Sequence, residues 1–410
     1  MGIINMVTHK IGKSEGVMNK KVVILVVLMG TVLTLFLKSN NKSEEISKTN
    51  QKNKLLTMNL EQTAGAGDYK TVTQSEWPTE GYKFNTELSR CENGSELSWD
   101  DVNKKILMSG VSADKCYVYF DIARFDKLCN TSTLACHVAK LYTGTQGENG
   151  IYYHNTSLIN GAGDNNYRYA GANPNNYICL GSDATTCPDD NLFRIIGVFG
   201  DKVKVIKDKS VVKMHWDTSN YNTWSISSLN TYLNGTYLTS IGTLSDKIDV
   251  ATWKVGGNTW DNISVSTAKE VYDYEIKNPS TTASTGETEY SAKIGLMYVS
   301  DYMFAVLQDN WTLVAYNSND ATKDYRAIKA ENWLYLGSDE YTITRSSKNS
   351  GEVFAIYSSG EVYSYSVSCD SGEPLPCMAY KKAARPSFYL ISSVEYSGGT
   401  GTSSDPIRIN

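Results

Sequence analysis

Histidine is scarce, with four residues in a chain of 410. So few imidazoles leave little material for general-base catalysis or a histidine metal centre. His9 lies in the N-terminal segment. His137, His154 and His215 stand in no G-x-S-x-G or H-E-x-x-H context. His154 sits in an aromatic stretch and His215 precedes Trp216-Asp217, yet hydrogen-bonded structural roles are the simpler account of both. His137 reads as a surface residue. CxxC is missing, as is any Cys/His quartet of zinc-finger spacing. EF-hand spacing and a lectin-type Glu-Pro-Asn are missing too. Asp164, Asp183 and Asp189 offer hard oxygen ligands for calcium, but Asx turns explain them more simply. No cofactor is expected.

Clustered basic charge is also missing from most of the chain. Lys and Arg total 39 against 44 acids, for a formal charge of −5. Residues 1–60 hold nine Lys and three Glu, which leaves 30 basic and 41 acidic residues in 61–410. A mildly acidic bulk argues against nucleic acid as a partner, because phosphate binding needs grouped cations. With 41% hydrophobic and 20% charged residues, the chain is neither a polytopic membrane protein nor a charge-rich disordered one. Its length suggests two or three domains of ~150 residues.

One long apolar run stands out at 22–37 (VVILVVLMGTVLTLFL), flanked by Lys20, Lys21 and Lys38 and free of ionisable residues. As a helix it spans about 24 Å, short of a hydrocarbon core of ~30 Å by an amount that snorkelling lysines make up. The following Lys38-Ser39-Asn40-Asn41-Lys42 is a poor cleavage site, which favours an uncleaved signal anchor over a cleaved signal peptide. The run also lacks the acid of a type IV pilin. Met18 looks like a more usual start than Met1. Residues 1–21 are thus read as a cytoplasmic N-terminus and 22–37 as a single transmembrane helix in the cell membrane. Residues 38–66 are polar and Asn/Lys/Ser-rich, and read as a flexible stalk.

Beyond the stalk, the pattern predicts a mainly β, α+β protein with few short helices. Residues 67–122 form a small β module, with strands at 97–99, 105–108 and 116–120 and an Asn93-Gly94 turn. A helical connector, 123–160, carries a helix near 134–142. The rest, 161–410, is one large domain. Within it, strands are expected at 192–198, 203–206, 352–357, 362–366 and 388–391. A helix over 227–238 should stop near Asn234-Gly235, and 277–289 is a low-complexity loop.

Eight cysteines in a chain read as exported point to disulfides and an oxidising exterior for the C-terminal bulk. Cys179 with Cys187 and Cys369 with Cys377 each bracket a turn-like segment, and each staple contributes roughly 2.5 kcal/mol on the chain-entropy model. Cys91 with Cys116 closes the β module, for ~3.5 kcal/mol on the same model. Cys129 and Cys136 are the remaining pair. Placed in one helix, their Cα atoms would be about 10 Å apart, beyond disulfide reach.

Aromatic residues reach 11%, with 28 Tyr, 9 Phe and 8 Trp, many beside Asn, Asp, Ser or Gly. Exposed rigid rings with adaptable polar neighbours suit sugar and protein binding. On that basis Trp224, Trp260, Trp311, Trp333 and Tyr335 are candidate binding residues. The competing account places them as ordinary core aromatics of a β protein.

Several ordered motifs in 165–392 resemble an uncharacterised domain of surface proteins from Gram-positive, often gut-dwelling, bacteria. They are Phe193-Arg194-Ile195-Ile196-Gly197-Val198 followed by Val203-Lys204-Val205-Ile206, then Trp224, Ser227-Ser228-Leu229 and Leu233-Asn234. Ala292-Lys293-Ile294-Gly295-Leu296-Met297, Asn332-Trp333-Leu334, 351–362 and Arg385-Pro386-Ser387-Phe388-Tyr389-Leu390 continue the order. Tyr335-Leu336-Gly337 departs from the Arg-Ser usual after the W-L segment. The resemblance implies a C-type-lectin-like fold for the large domain, and 77–121 resembles a module found upstream of such domains. Together these features suggest a membrane-anchored extracellular binding or adhesion protein, with a glycan or surface protein as ligand. The alternatives are an exported enzyme acting on cell-wall or glycan material, with His154 or His215 near carboxylates, and a self-associating envelope protein.

Overall fold

A computed structural model describes residues 44–46, 56–62, 67–73, 78, 81–101, 103–110, 113–155, 157–258, 263–279, 287–367 and 381–409. Among these residues no helix is long and apolar enough to cross a membrane. The expected anchor at 22–37 lies outside them. The architecture is mainly β with few short helices, and the chain divides into two units. The first draws on 1–60, 69–77 and 84–120; the second on 61–68, 78–83 and 121–410.

Period-two alternation builds the first unit. In Lys105–Ser109 the side chains of Ile106 and Met108 are buried, and in Cys116–Ile122 those of Cys116, Val118 and Phe120. Lys105–Ser109 pairs antiparallel with Glu96–Asp100, Trp99 facing Ile106. Asp100 closes the turn by accepting from Asn103 N at 3.0 Å. Glu44–Ile46 extends this sheet along Lys105–Ser109. In a second sheet Leu56–Glu61 runs beside Cys116–Ile122, with Leu56 to Leu60 parallel to Cys116 to Phe120. Residues 44–46 and 56–61, expected in the flexible stalk, are therefore strands. Leu56, Met58 and Leu60 are buried, an apolar alternation hidden at the end of a polar stretch.

The second unit contains two large sheets and two two-stranded ones over two hydrophobic clusters. The first sheet runs in the order Ile294–Gly295, Ser387–Tyr389, Lys202–Lys207, Leu192–Phe199, Tyr167–Tyr169, Ile151–Tyr153. Tyr177–Cys179 also pairs with Leu192–Phe199. All of these pairings are antiparallel. At Gly197 the register with Lys202–Lys207 shifts, and a Cβ there would lie 2.0 Å from the Tyr167 carbonyl oxygen. The second sheet orders Val212–Met214, Lys382–Ala384, Glu340–Ser346, Glu352–Ile356 and Val362–Ser366.

The helices are short. Leu134–Ala139 starts at Thr133, whose hydroxyl accepts from Cys136 N. Its Leu134, Val138 and Ala139 join the same core as Ile195, Val205 and Phe388. The helical connector expected at 123–160 falls within the second unit. The chain from Ser228 does not stop at Asn234-Gly235. Ser228–Thr231 widens into a π-helix over Tyr232–Tyr237 and resumes as Leu238–Ser240. The wide turn brings Asn234 onto a strand: its amide donates to Ile294 O at 2.8 Å, and its oxygen accepts from Ile294 N at 2.9 Å.

Three disulfides occur among the described residues. Cys91–Cys116 joins directly paired strand residues with Cα atoms 4.0 Å apart. Cys179–Cys187 spans 5.8 Å between Cα atoms and Cys129–Cys136 spans 5.6 Å. Cys129 caps Phe125–Leu128 while Cys136 lies in Leu134–Ala139, so the two are not separated along one helix. Cys369 and Cys377 lie outside the described residues.

Candidate functional site

The loop 179–187 frames a cleft of about 560 Å³ in the second unit. Its disulfide fixes the base, and the C-terminal segment holds one side. Cys179 N donates to Ile407 O at 2.9 Å, and Ile407 N to Tyr177 O at 2.9 Å. Arg408 reaches over the loop, its two terminal nitrogens donating to Ser182 O and Thr185 O at 3.1 Å each. Gly181 supplies the positive φ, +72°, that the turn after Cys179 requires. Behind the loop, Asn191 Nδ2 donates to Leu180 O at 2.6 Å. Lys207 Nζ donates to the carbonyls of Asp189 and Leu192. The Gly242–Lys247 3-10 helix forms the opposite wall.

The lining is polar with one apolar floor. Ser182, Thr185, Thr243 and Ser397 bring hydroxyls, Asp183 a carboxylate, and Lys247 and Arg408 cations, while Leu244 is buried beneath. Hydroxyls around a stapled loop, with the Arg408 guanidinium beside it, can hydrogen-bond a polar ligand. The lining contains no imidazole, and both sulfurs of the loop are in the disulfide. A second hollow of about 430 Å³ is lined by Asn149, Gly150, 170–175 and Thr400.

The aromatic candidates take other places. Trp224 is 1% exposed and packs 5.1 Å from Trp216. Trp311 is fully buried among Tyr152, Phe304 and His154, and its Nε1 donates to Val306 O at 2.9 Å. Trp333 donates to Tyr169 O at 3.0 Å and lies under the Arg194 guanidinium. Tyr335 is half-buried, with its hydroxyl on the Ser358 carbonyl. The three tryptophans are buried, as the core-aromatic account has them, and the indole N–H of Trp311 and of Trp333 finds a carbonyl, while Tyr335 packs against the core partly exposed. Trp260 lies outside the described residues.

The acids do not converge. Both Asp164 oxygens are taken by Arg168, at 2.9 and 2.6 Å, and Asn166 and Tyr272 donate to it as well. Burial opposes ionisation of this carboxyl, but the Arg168 charge outweighs it and holds Asp164 well below the usual range. Asp183 stands on the cleft rim, and Asp189 is exposed and paired with Lys209. Among the described residues, the group with metal-ligand spacing is Cys91, Asp114 and Cys116, and its two sulfurs are bonded to each other. His154 is buried, its Nδ1 accepts from Ala162 N at 3.1 Å, and burial pushes its imidazole well down. His215 is half-buried, and neither histidine lines the cleft.

Sequence reasoning missed a set of buried charges. Arg385 forms a two-pronged pair with Glu340 at 2.7 and 2.9 Å and donates to Leu334 O. Lys204 pairs with Asp301 near Arg168 and Glu275. Single cations inside β-branched runs, such as Arg194 in LFRIIGV and Lys204 in VKVI, were the available signal. No known family, curated protein or solved structure matches this chain.

Proposed function

We propose that this chain is a membrane-anchored extracellular binding or adhesion protein of a Gram-positive bacterium. In this reading the 22–37 helix holds it in the cell membrane, with the C-terminal bulk outside. The second unit is a C-type-lectin-like body that takes a glycan or surface-protein ligand in the cleft under the 179–187 loop. The observation that carries the reading is that cleft: a disulfide-stapled loop, locked by Arg408, presents hydroxyls and carbonyls over a buried leucine floor. The three disulfides support an oxidising exterior, and the ordered motifs of 165–392 support the surface-domain kinship.

The test is binding by the full-length protein in lipid nanodiscs to arrayed glycans, peptidoglycan fragments and bacterial surface proteins. A Thr243→Trp variant fills the cleft from an exposed wall position. The expected result is a retained ligand whose binding falls at least tenfold in the variant, with an unchanged circular dichroism spectrum. Binding that survives the filled cleft would move the site elsewhere, and an empty screen would sink the binding role.

A further inference from the structure

Lys204 sits where a doubly covered strand leaves no route to water. Its side chain is 1% exposed, that of Asp301 5%, and Nζ lies 2.5 Å from Asp301 Oδ2. Rings close around the ammonium: Tyr298 at 4.5 Å, Trp253 at 5.5 Å, Tyr389 at 5.6 Å and Phe199 at 5.7 Å. The same carboxylate oxygen accepts from Tyr298 N at 2.8 Å, at the start of Val299–Phe304. Nearby are Arg168, paired with Asp164, and the buried carboxyl of Glu275. Other lysine–carboxylate pairs are wetter: Asp339 is 28% exposed beside Lys382, and Lys202 and Asp249 are 38% and 23% exposed.

We propose that Lys204 and Asp301 condense into a side-chain amide, an internal isopeptide crosslink formed by the folded protein itself. A dry chamber disfavours an ammonium, so Nζ gains by giving its proton to the carboxylate it touches. Burial lowers the Lys204 ammonium, and the Arg168 charge acts in the same direction against the pull of Asp301. The ammonium proton passes to the carboxylate across the existing contact. The Nζ lone pair then attacks the Asp301 carboxyl carbon and charge gathers on Oδ1, while the Tyr298 N–H holds Oδ2, the oxygen that departs. A C–N bond forms, the C–OH bond breaks, and the hydroxyl leaves as water with a proton from the nitrogen. Ammonium plus carboxylate gives amide plus one water, and no oxidant or co-reactant enters. The bond ties the Lys202–Lys207 strand to the Val299–Phe304 helix.

Intact-mass spectrometry of the full chain, with disulfides reduced, tests this directly. The expected mass is one water below that of the sequence, and tandem spectra of a digest show a branched peptide joining Lys204 to Asp301. Lys204→Arg keeps the cation but removes the primary amine, and its mass should be that of the sequence. A wild-type chain at full mass means an ion pair only and overturns the proposal. A lost water that persists in Lys204→Arg overturns it equally.

Discussion

Glu275 accepts hydrogen bonds from Val299 N at 3.0 Å, from Ser300 N at 2.9 Å and from the Thr344 hydroxyl. Burial pushes its carboxyl up to about 7, against the hydrogen bonds that favour the anion. The folded chain then keeps a proton that the unfolded chain releases near the ordinary glutamate value. Stability therefore falls as pH rises from about 4.5 to about 7 and is level beyond, a loss on the order of 3 kcal/mol. Urea unfolding across that range should show a steeper fall in wild type than in Glu275→Gln, the buried Glu340 adding a slope common to both; equal slopes would place the titration elsewhere. Residues of this kind were not legible in the sequence. A glutamate between Tyr274 and Ile276 has the composition of any amphipathic helix, and its burial comes from Val299 and Thr344, far along the chain. For the tryptophans the core account prevails over the exposed one for a related reason. Polar neighbours in sequence suggested exposure, but Trp311 and Trp333 bury their rings against residues supplied by other segments.

Elements were legible where their signal is local. The Glu96–Asp100 and Lys105–Ser109 hairpin and the Leu192–Phe199 and Lys202–Lys207 pair follow from alternation interrupted by polar or glycine turns. The π-helix was not, because Asn-Gly ordinarily marks a helix end. The distant Ile294 backbone, together with Asn230 Oδ1 one turn back, gives Asn234 a reason to stay helical. Gly197 belongs at this scale, because its bare Cα lets Tyr167–Tyr169 approach Leu192–Phe199. Gly197→Ala should cost about 2 kcal/mol or more by overpacking. Thermal unfolding checks this, and a melting temperature unchanged from wild type would mean that the strands part easily.

The whole molecule departs furthest from local reading in its division. The helix near 134–142 looked like a connector, yet Leu134 N donates to Val394 O at 2.8 Å and Tyr396 N to Ser132 O at 2.9 Å. The C-terminal segment returns to this helix across some two-thirds of the chain, and no local pattern announces it. The candidate cleft has the same origin: its disulfide pair was legible from spacing, but Arg408 reaches Ser182 and Thr185 only in the fold. Asn234 also acts at this scale. Ile294–Gly295 ends the first sheet, and the amide of Asn234 fills both outward backbone groups of Ile294. A sheet margin so occupied offers no template to a second chain, so crowded copies cannot zip together along it. Asn234→Leu would uncover that margin, and light scattering should then rise with protein concentration where wild type stays flat. Equal scattering would show that the margin is guarded by something other than this one amide.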